Sequence, residues 1–266
     1  DRTFKYNAGV TLSLTPRTIY QFPVKSVRLS YTKDTRIPGQ ELQFNQSDNF
    51  FLSFKRGEND KLLINNTLRF EYLNEFENHF SYLLGYNFTR QYPLGNLYYY
   101  KAGETPEASG RRNIDISEIY LNLRFAPNES FYQGKLYRDH FPNKYPVIQL
   151  NSAVGSDFMK SSYDYLRLQM NISRRYYVSI LGYTDVDLEA GKIFGRVSFP
   201  MLFIHAANQT YAYQRSSYNL MNFLEFISDK YVSLNIDHSF NGFILNKIPL
   251  IKKLKFREIV TCKVIY

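Results

Sequence analysis

Four histidines and one cysteine are the residues of this 266-residue chain best suited to metal or nucleophilic chemistry, and their spacing supports neither. His79, His140, His205 and His238 lie far apart, without the short intervals at which zinc ligands recur. Cys262 stands alone, which excludes an internal disulfide and any cysteine-based zinc cluster, and its strand-like surroundings suit packing rather than reaction. Asp139 and His140 have the composition of an acid–base pair, yet no nucleophile elbow or glycine-rich loop accompanies them. The expectation is therefore no enzyme, no metal and no cofactor. What remains is electrostatic: Lys252, Lys253 and Lys255 form a basic group suited to phosphate, or simply a solvated loop.

The elements that carry these residues read as long amphipathic strands. From Lys61 to Arg90, Leu62, Ile64, Leu68, Phe70 and Tyr72 alternate with Asn65, Thr67, Arg69 and Glu71. After a polar turn at Asn74 to Asn78 the alternation resumes, with Phe80, Tyr82, Leu84, Tyr86 and Phe88 on one face and His79, Ser81, Gly85, Asn87 and Thr89 on the other. Each arm reaches about ten residues, enough for a tilted strand to cross a bilayer, whereas strands of soluble sandwiches average about five or six. Aromatic residues near the ends of the apolar faces match the girdles of membrane barrels.

Composition agrees. The chain has 24 Tyr and 22 Phe but no uninterrupted apolar stretch long enough for a membrane-crossing helix. A net charge of +9 invites a nucleic-acid reading, but the basic residues are scattered rather than gathered on one stripe. Anionic lipid headgroups or lipopolysaccharide phosphates are the better counter-charge, and Lys252, Lys253 and Lys255 are candidate lipopolysaccharide contacts.

Further strands are expected at Phe4 to Leu14, Val24 to Lys33, Glu41 to Asn45, Phe50 to Lys55, Ile114 to Phe125, Val147 to Gly155, Asp164 to Ile172, Tyr176 to Asp185, Tyr218 to Ser228 and Tyr231 to Asn241, with one more at the end. A small hairpin is expected near Phe131 to Tyr137 within the irregular Ala126 to Pro146 segment. That makes about thirteen strands. If the turns at Leu73 to Asn78, Arg174-Arg175 and Asp229-Lys230 share one side, the long loops after Arg90, Asp185 and Asn241 share the other, as in outer-membrane barrels. Both ends of the chain fall in strand-like sequence, so we expect one domain over residues 1–266, truncated at both ends.

The run Leu224, Glu225, Phe226, Ile227, Ser228, Asp229, Lys230, Tyr231 resembles the late strands of the outer-membrane assembly-factor superfamily, the barrels of BamA, TamA and two-partner secretion transporters. The tail from Asn219 to Val260 is similar to an uncharacterised Gram-negative outer-membrane family in which a BamA-like barrel follows a carboxypeptidase-regulatory-like domain. The resemblance implies an all-β, antiparallel up-and-down transmembrane barrel of sixteen strands, of which this chain holds the second to the fourteenth. It implies a role in inserting or transporting outer-membrane components, with unfolded outer-membrane proteins, periplasmic domains of the same chain, and outer-membrane lipid as partners. In that superfamily a long loop folds into the lumen and its Arg pairs with acidic residues on the strands that follow. Here Arg196 follows Gly195, the reverse of the superfamily order, and Glu225 and Asp237 alternate onto the polar face, so the implied loop-to-lumen lock is Arg196, Glu225 and Asp237. Two other readings remain: an outer-membrane porin or substrate-specific channel, and a soluble carbohydrate-binding β-sandwich.

Overall fold

The computed structural model describes residues 4–36, 38, 61–95, 113–208, 217–222 and 224–266. Ten strands form one antiparallel sheet: β1 (Tyr6–Ser13), β2 (Lys25–Arg36), β3 (Lys61–Glu75), β4 (Phe80–Gly95), β5 (Ile114–Phe125), β8 (Val147–Gly155), β9 (Tyr165–Tyr177), β10 (Tyr183–Gly195), β13 (Lys230–Ser239) and β14 (Ile259–Ile265). Two hairpin-like pairs stand outside it, β6 (Phe131–Gln133) with β7 (Arg138–His140) and β11 (Phe203–Ile204) with β12 (Ile227–Ser228). Each strand of the large sheet pairs with the next one along the chain, an up-and-down order. β1 and β14 are its two edges, so the sheet is open rather than a closed barrel among the described residues.

Register carries the alternation across the sheet. Val10, Leu29, Phe70, Tyr86, Ile119, Val154, Leu166 and Phe194 are successive cross-strand partners and form one apolar row. Tyr82, Leu123, Leu150, Met170, Ala190 and Val232 form another. A one-residue slip anywhere would move a strand's whole apolar set to the other face, so the pattern itself fixes the pairing.

This sheet is inverted relative to a soluble one. Ile119 is 48% exposed while its neighbour Glu118 is 6% exposed, and Val10 on the same apolar row reaches 63%. Gln169, Asn171, Ser233 and Asp237 on the polar face are buried. No second sheet covers the apolar side, since the only other sheets among the described residues are the two short pairs. Among the described residues no helix is long and apolar enough to cross a membrane.

Several expected elements shift. The strand expected at Tyr176 to Asp185 is instead the end of β9, a turn and the start of β10. Arg174-Arg175 is not a turn: Arg174 lies over the Tyr176 ring on one side and Arg175 pairs with Asp185 on the other, so alternation runs through both. The chain reverses at residues 178–182, where Gly182 takes a φ of 91°. Among the described residues the expected Tyr218 to Ser228 strand is mostly turns, with Leu224 at a φ of 59°; Tyr218 makes a single bridge to Ala207, and Ile227 and Ser228 form the short β12. The expected strands Glu41 to Asn45 and Phe50 to Lys55 lie outside the described residues.

One crossing fewer between β9 and β13 changes which loops share an end. The β3–β4 turn, the β9–β10 turn and the β13–β14 connection stand at one end; the long β2–β3, β4–β5 and β10–β13 connections stand at the other. The Asp229-Lys230 turn and the basic connection carrying Lys252, Lys253 and Lys255 have therefore exchanged the ends expected from sequence.

Candidate functional site

The polar face is organised by three tyrosines laid across three glycines. Glu71, Gly85 and Tyr120 are in register on β3, β4 and β5, and the Tyr120 hydroxyl crosses the glycine to donate to Glu71 at 2.8 Å. Glu118, Gly155 and Tyr165 repeat this on β5, β8 and β9, with a hydrogen bond of 2.5 Å. Gln169, Gly191 and Tyr231 repeat it on β9, β10 and β13; there Gln169 donates to the tyrosine oxygen at 3.2 Å, and Tyr231 donates to Glu189. A Cβ at any of the three glycines would overlap the tyrosine ring. Glycine in a strand interior otherwise weakens it, so a close approach is the reason for its presence.

Glu118 is buried and Glu71 and Glu189 are half-buried, so each must be satisfied, because an unpaired buried charge costs several kcal/mol. Glu118 also accepts from Asn87 at 3.1 Å and from Arg167 at 3.3 Å. Asp187 accepts from Asn171 at 2.5 Å, and Arg175 grips Asp185 with two bonds of 2.6 and 2.8 Å. Each of these acids thus has at least one donor on the polar face.

At the long-loop end the polar face turns apolar. Leu63, Ile114, Ile116 and Ile193 form a buried patch there, and Met201 and Phe203 from the β10–β13 connection pack into it beside Tyr165 and Tyr231. Phe203 meets Tyr231 edge-on at 4.8 Å between ring centres. His205 shares a hydrogen bond with Ser228 at 2.9 Å and also stands edge-on to Tyr231. Burial pushes the His205 pKa down and favours the neutral ring. Lys263 of β14 donates to the Ser217 carbonyl at 2.7 Å. The connection is thus folded over the polar face and anchored at several points.

At the opposite end, the β6–β7 hairpin is bound down by ion pairs. Arg138 forms a two-pronged pair with Glu75, whose second role is to accept from the Val24 backbone N–H at 2.9 Å. Arg124 holds Glu129 in the same way, and His140 approaches Glu129 to 3.2 Å. Burial alone would raise the Glu129 pKa, but the His140 and Arg124 contacts outweigh it and hold it at about 2. Phe22 stacks on His79 at 5.0 Å and meets Phe131 edge-on, and Arg138 sits 5.2 Å over Phe131. These side chains line a small open cleft.

The expected lock is not assembled in this form. Arg196 is exposed just after β10 and forms no ion pair among the described residues. Glu225 is also exposed and accepts from the Asn222 backbone at 2.7 Å, closing a local turn. Asp237 does sit buried on the polar face of β13, but it accepts from Thr261 at 2.5 Å and lies opposite Asp185. The reason is the loss of the Leu224 to Ile227 strand: without it Glu225 has no alternation to place it beside Asp237. Loop docking instead uses Met201, Phe203 and Ser217. Lys252, Lys253 and Lys255 are exposed at the short-turn end. His79 lies in the β3–β4 turn at a φ of 61° rather than on a strand face, and Asp139-His140 is part of the hairpin clasp. Among the described residues no three metal-ligating side chains come together.

The sequence signals for what was missed were present. Gly85, Gly155 and Gly191 interrupt strands without breaking them, and Leu63, Ile114, Ile116 and Ile193 are apolar where alternation calls for polar residues. No curated protein matches the chain. Over residues 3–266 it matches the family of unknown function DUF5686, C-terminal domain, and it belongs to that family.

Proposed function

We propose that this chain is an integral outer-membrane β-barrel domain of the BamA-like kind, assisting insertion or transport of outer-membrane components. The observation that carries the membrane part is the inverted sheet: all ten strands direct apolar side chains to an uncovered face, and the polar face is the buried one. In water such a face would bury nothing, and at about 25 cal/mol per Å² its transfer to hydrocarbon is the dominant gain available. β3 and β4, at 15 and 16 residues, exceed the length a tilted strand needs to cross. Unpaired edge groups are untenable in hydrocarbon, so this reading requires the β1 and β14 edges to be paired in the membrane.

The assembly role rests on the resemblance and is supported by the β10–β13 connection, which lies over the polar face as a plug would. A porin or substrate-specific channel is the competing function, favoured by the same polar face. Conductance of the protein in planar bilayers separates them. Small, flickering currents support the occluded barrel, and a large steady pore supports the channel. Depletion followed by an outer-membrane proteome then tests the assembly role: loss of other barrels supports it, and an unchanged proteome contradicts it.

A further inference from the structure

The β13–β14 connection contains five basic residues, Lys247, Lys252, Lys253, Lys255 and Arg257, and a single acid, Glu258. That acid is engaged elsewhere: its carboxylate accepts the Leu245 backbone N–H. None of the four lysines forms an ion pair among the described residues, and Lys247 lies 4.0 Å over the Phe243 ring. Interleaved with them are large apolar side chains pointing to solvent, Ile244, Ile248, Leu250 at 79%, Leu254 at 61% and Phe256. The segment is ordered by its own backbone bonds, including Asn246 to Gly242 and Lys252 to Ile248, through a short 3-10 turn at Leu245–Lys247 and the α1 turn at Pro249–Lys252.

Exposed apolar side chains alone fit any partner, and exposed lysines alone fit water. Together, on one connection continuous with the apolar face of β13 and β14, they match the boundary between hydrocarbon and headgroups. The same end of the sheet repeats the composition: Arg174 lies over Tyr176, Lys144 over Tyr177, and Ile180 is exposed in the adjacent turn. We propose that the β13–β14 connection is a seat for anionic phospholipid headgroups in the leaflet at the short-turn end of the barrel, with Leu250, Leu254 and Phe256 entering the acyl boundary and Lys247, Lys252, Lys253 and Lys255 gathering phosphates. This rests on the membrane reading above and assigns the lysines to the leaflet opposite the long loops, not to lipopolysaccharide on the far side.

The test uses the protein reconstituted in vesicles of phosphatidylcholine alone or with phosphatidylglycerol. An environment-sensitive dye is placed at Leu250→Cys in a Cys262→Ser background, and, in a separate sample, on native Cys262. The expected result is a dye at position 250 that is apolar in the phosphatidylglycerol vesicles and wetter in phosphatidylcholine. A variant with the four lysines changed to Gln should lose at least about tenfold of the preference for phosphatidylglycerol, given the roughly 1 kcal/mol each basic residue contributes near such a surface. Added salt should weaken the preference, and inorganic phosphate at equal ionic strength should do no more than salt. If Cys262 reports hydrocarbon but position 250 stays in water in both vesicles, or the lysine change has no effect, the headgroup seat is wrong and a protein partner is the better occupant. If Cys262 itself reports water, the membrane reading has failed first.

Discussion

Tyr165 lies across the bare backbone of Gly155 and delivers its hydroxyl to Glu118 on the strand beyond, at 2.5 Å. The contact ties β5, β8 and β9 together on the polar face, and the Tyr120 and Tyr231 rows do the same on either side. Gly155→Ala should therefore destabilise the domain by about 1–3 kcal/mol, because the added methyl displaces a ring with no free volume to enter. The equivalent change at Gly9, where a Cβ would meet Ser30 and Leu29 atoms no closer than 3.2 Å rather than a ring at 2.3 Å, should cost less. Urea unfolding in detergent or bilayers measures both; equal effects at the two glycines would show that the tyrosine bridge contributes little.

Charge placed on the apolar row gives a sharper contrast. Ile119→Arg should cost about 2–4 kcal/mol in a bilayer, the penalty for Arg near the midplane. At a water-exposed position the same substitution would change stability by no more than about 0.5 kcal/mol. The reading is the folded fraction in vesicles against urea, and near-neutrality would mean that Ile119 faces water.

Loop docking depends on Phe203 rather than on Arg196. Phe203→Ala removes the ring packed between Tyr231 and the Ile193 patch and should cost the docked loop about 3–5 kcal/mol. External protease should then cut the β10–β13 connection faster, and bilayer currents should grow. Arg196→Ala should leave both unchanged, since its side chain is exposed and unpaired among the described residues. The opposite ranking of the two variants would restore an arginine-based lock.

The hairpin clasp at the other end has a pH signature. Glu129 titrates near 2 when folded, below its ordinary 4.5, so its contribution is present above pH 4.5 and is lost as pH falls toward 2. Protection of the backbone amides at residues 131–140, relative to their intrinsic exchange at each pH, should fall over that window before the sheet itself loosens. In Glu129→Gln that pH dependence should weaken, leaving the part the Arg138–Glu75 pair contributes, and the hairpin should exchange faster already at neutral pH. A hairpin whose exchange ignores pH in the native chain would contradict the clasp.

Strand positions were legible where alternation is unbroken. β5 and β8 fall on the bounds their apolar residues give, and the β3–β4 hairpin follows its two phases through the turn. Misreading came where charge was taken for a turn: Arg174 and Arg175 look like a loop, but one finds an aromatic ring and the other an acid, so the strand passes through them. The same error displaced β10, and the loss of the expected Tyr218 to Ser228 strand reversed the end assigned to the basic connection. Leu224 to Phe226 alternate correctly yet form a turn, because pattern alone does not say that a neighbouring strand is available to pair with them. The glycine–tyrosine rows are invisible in one strand, since each needs three strands in register to exist.

The central claim is that the uncovered apolar face meets hydrocarbon. A single-cysteine scan of β5 from Ser117 to Leu123 in the Cys262→Ser background, spin-labelled in bilayers, tests it directly. The account predicts a period of two: labels at Ile119, Leu121 and Leu123 collide with oxygen and are shielded from water-soluble nickel reagents, while labels at Glu118, Tyr120 and Asn122 show no such oxygen preference. Ready access of the nickel reagent to positions 119, 121 and 123 would place that face in water and contradict the account.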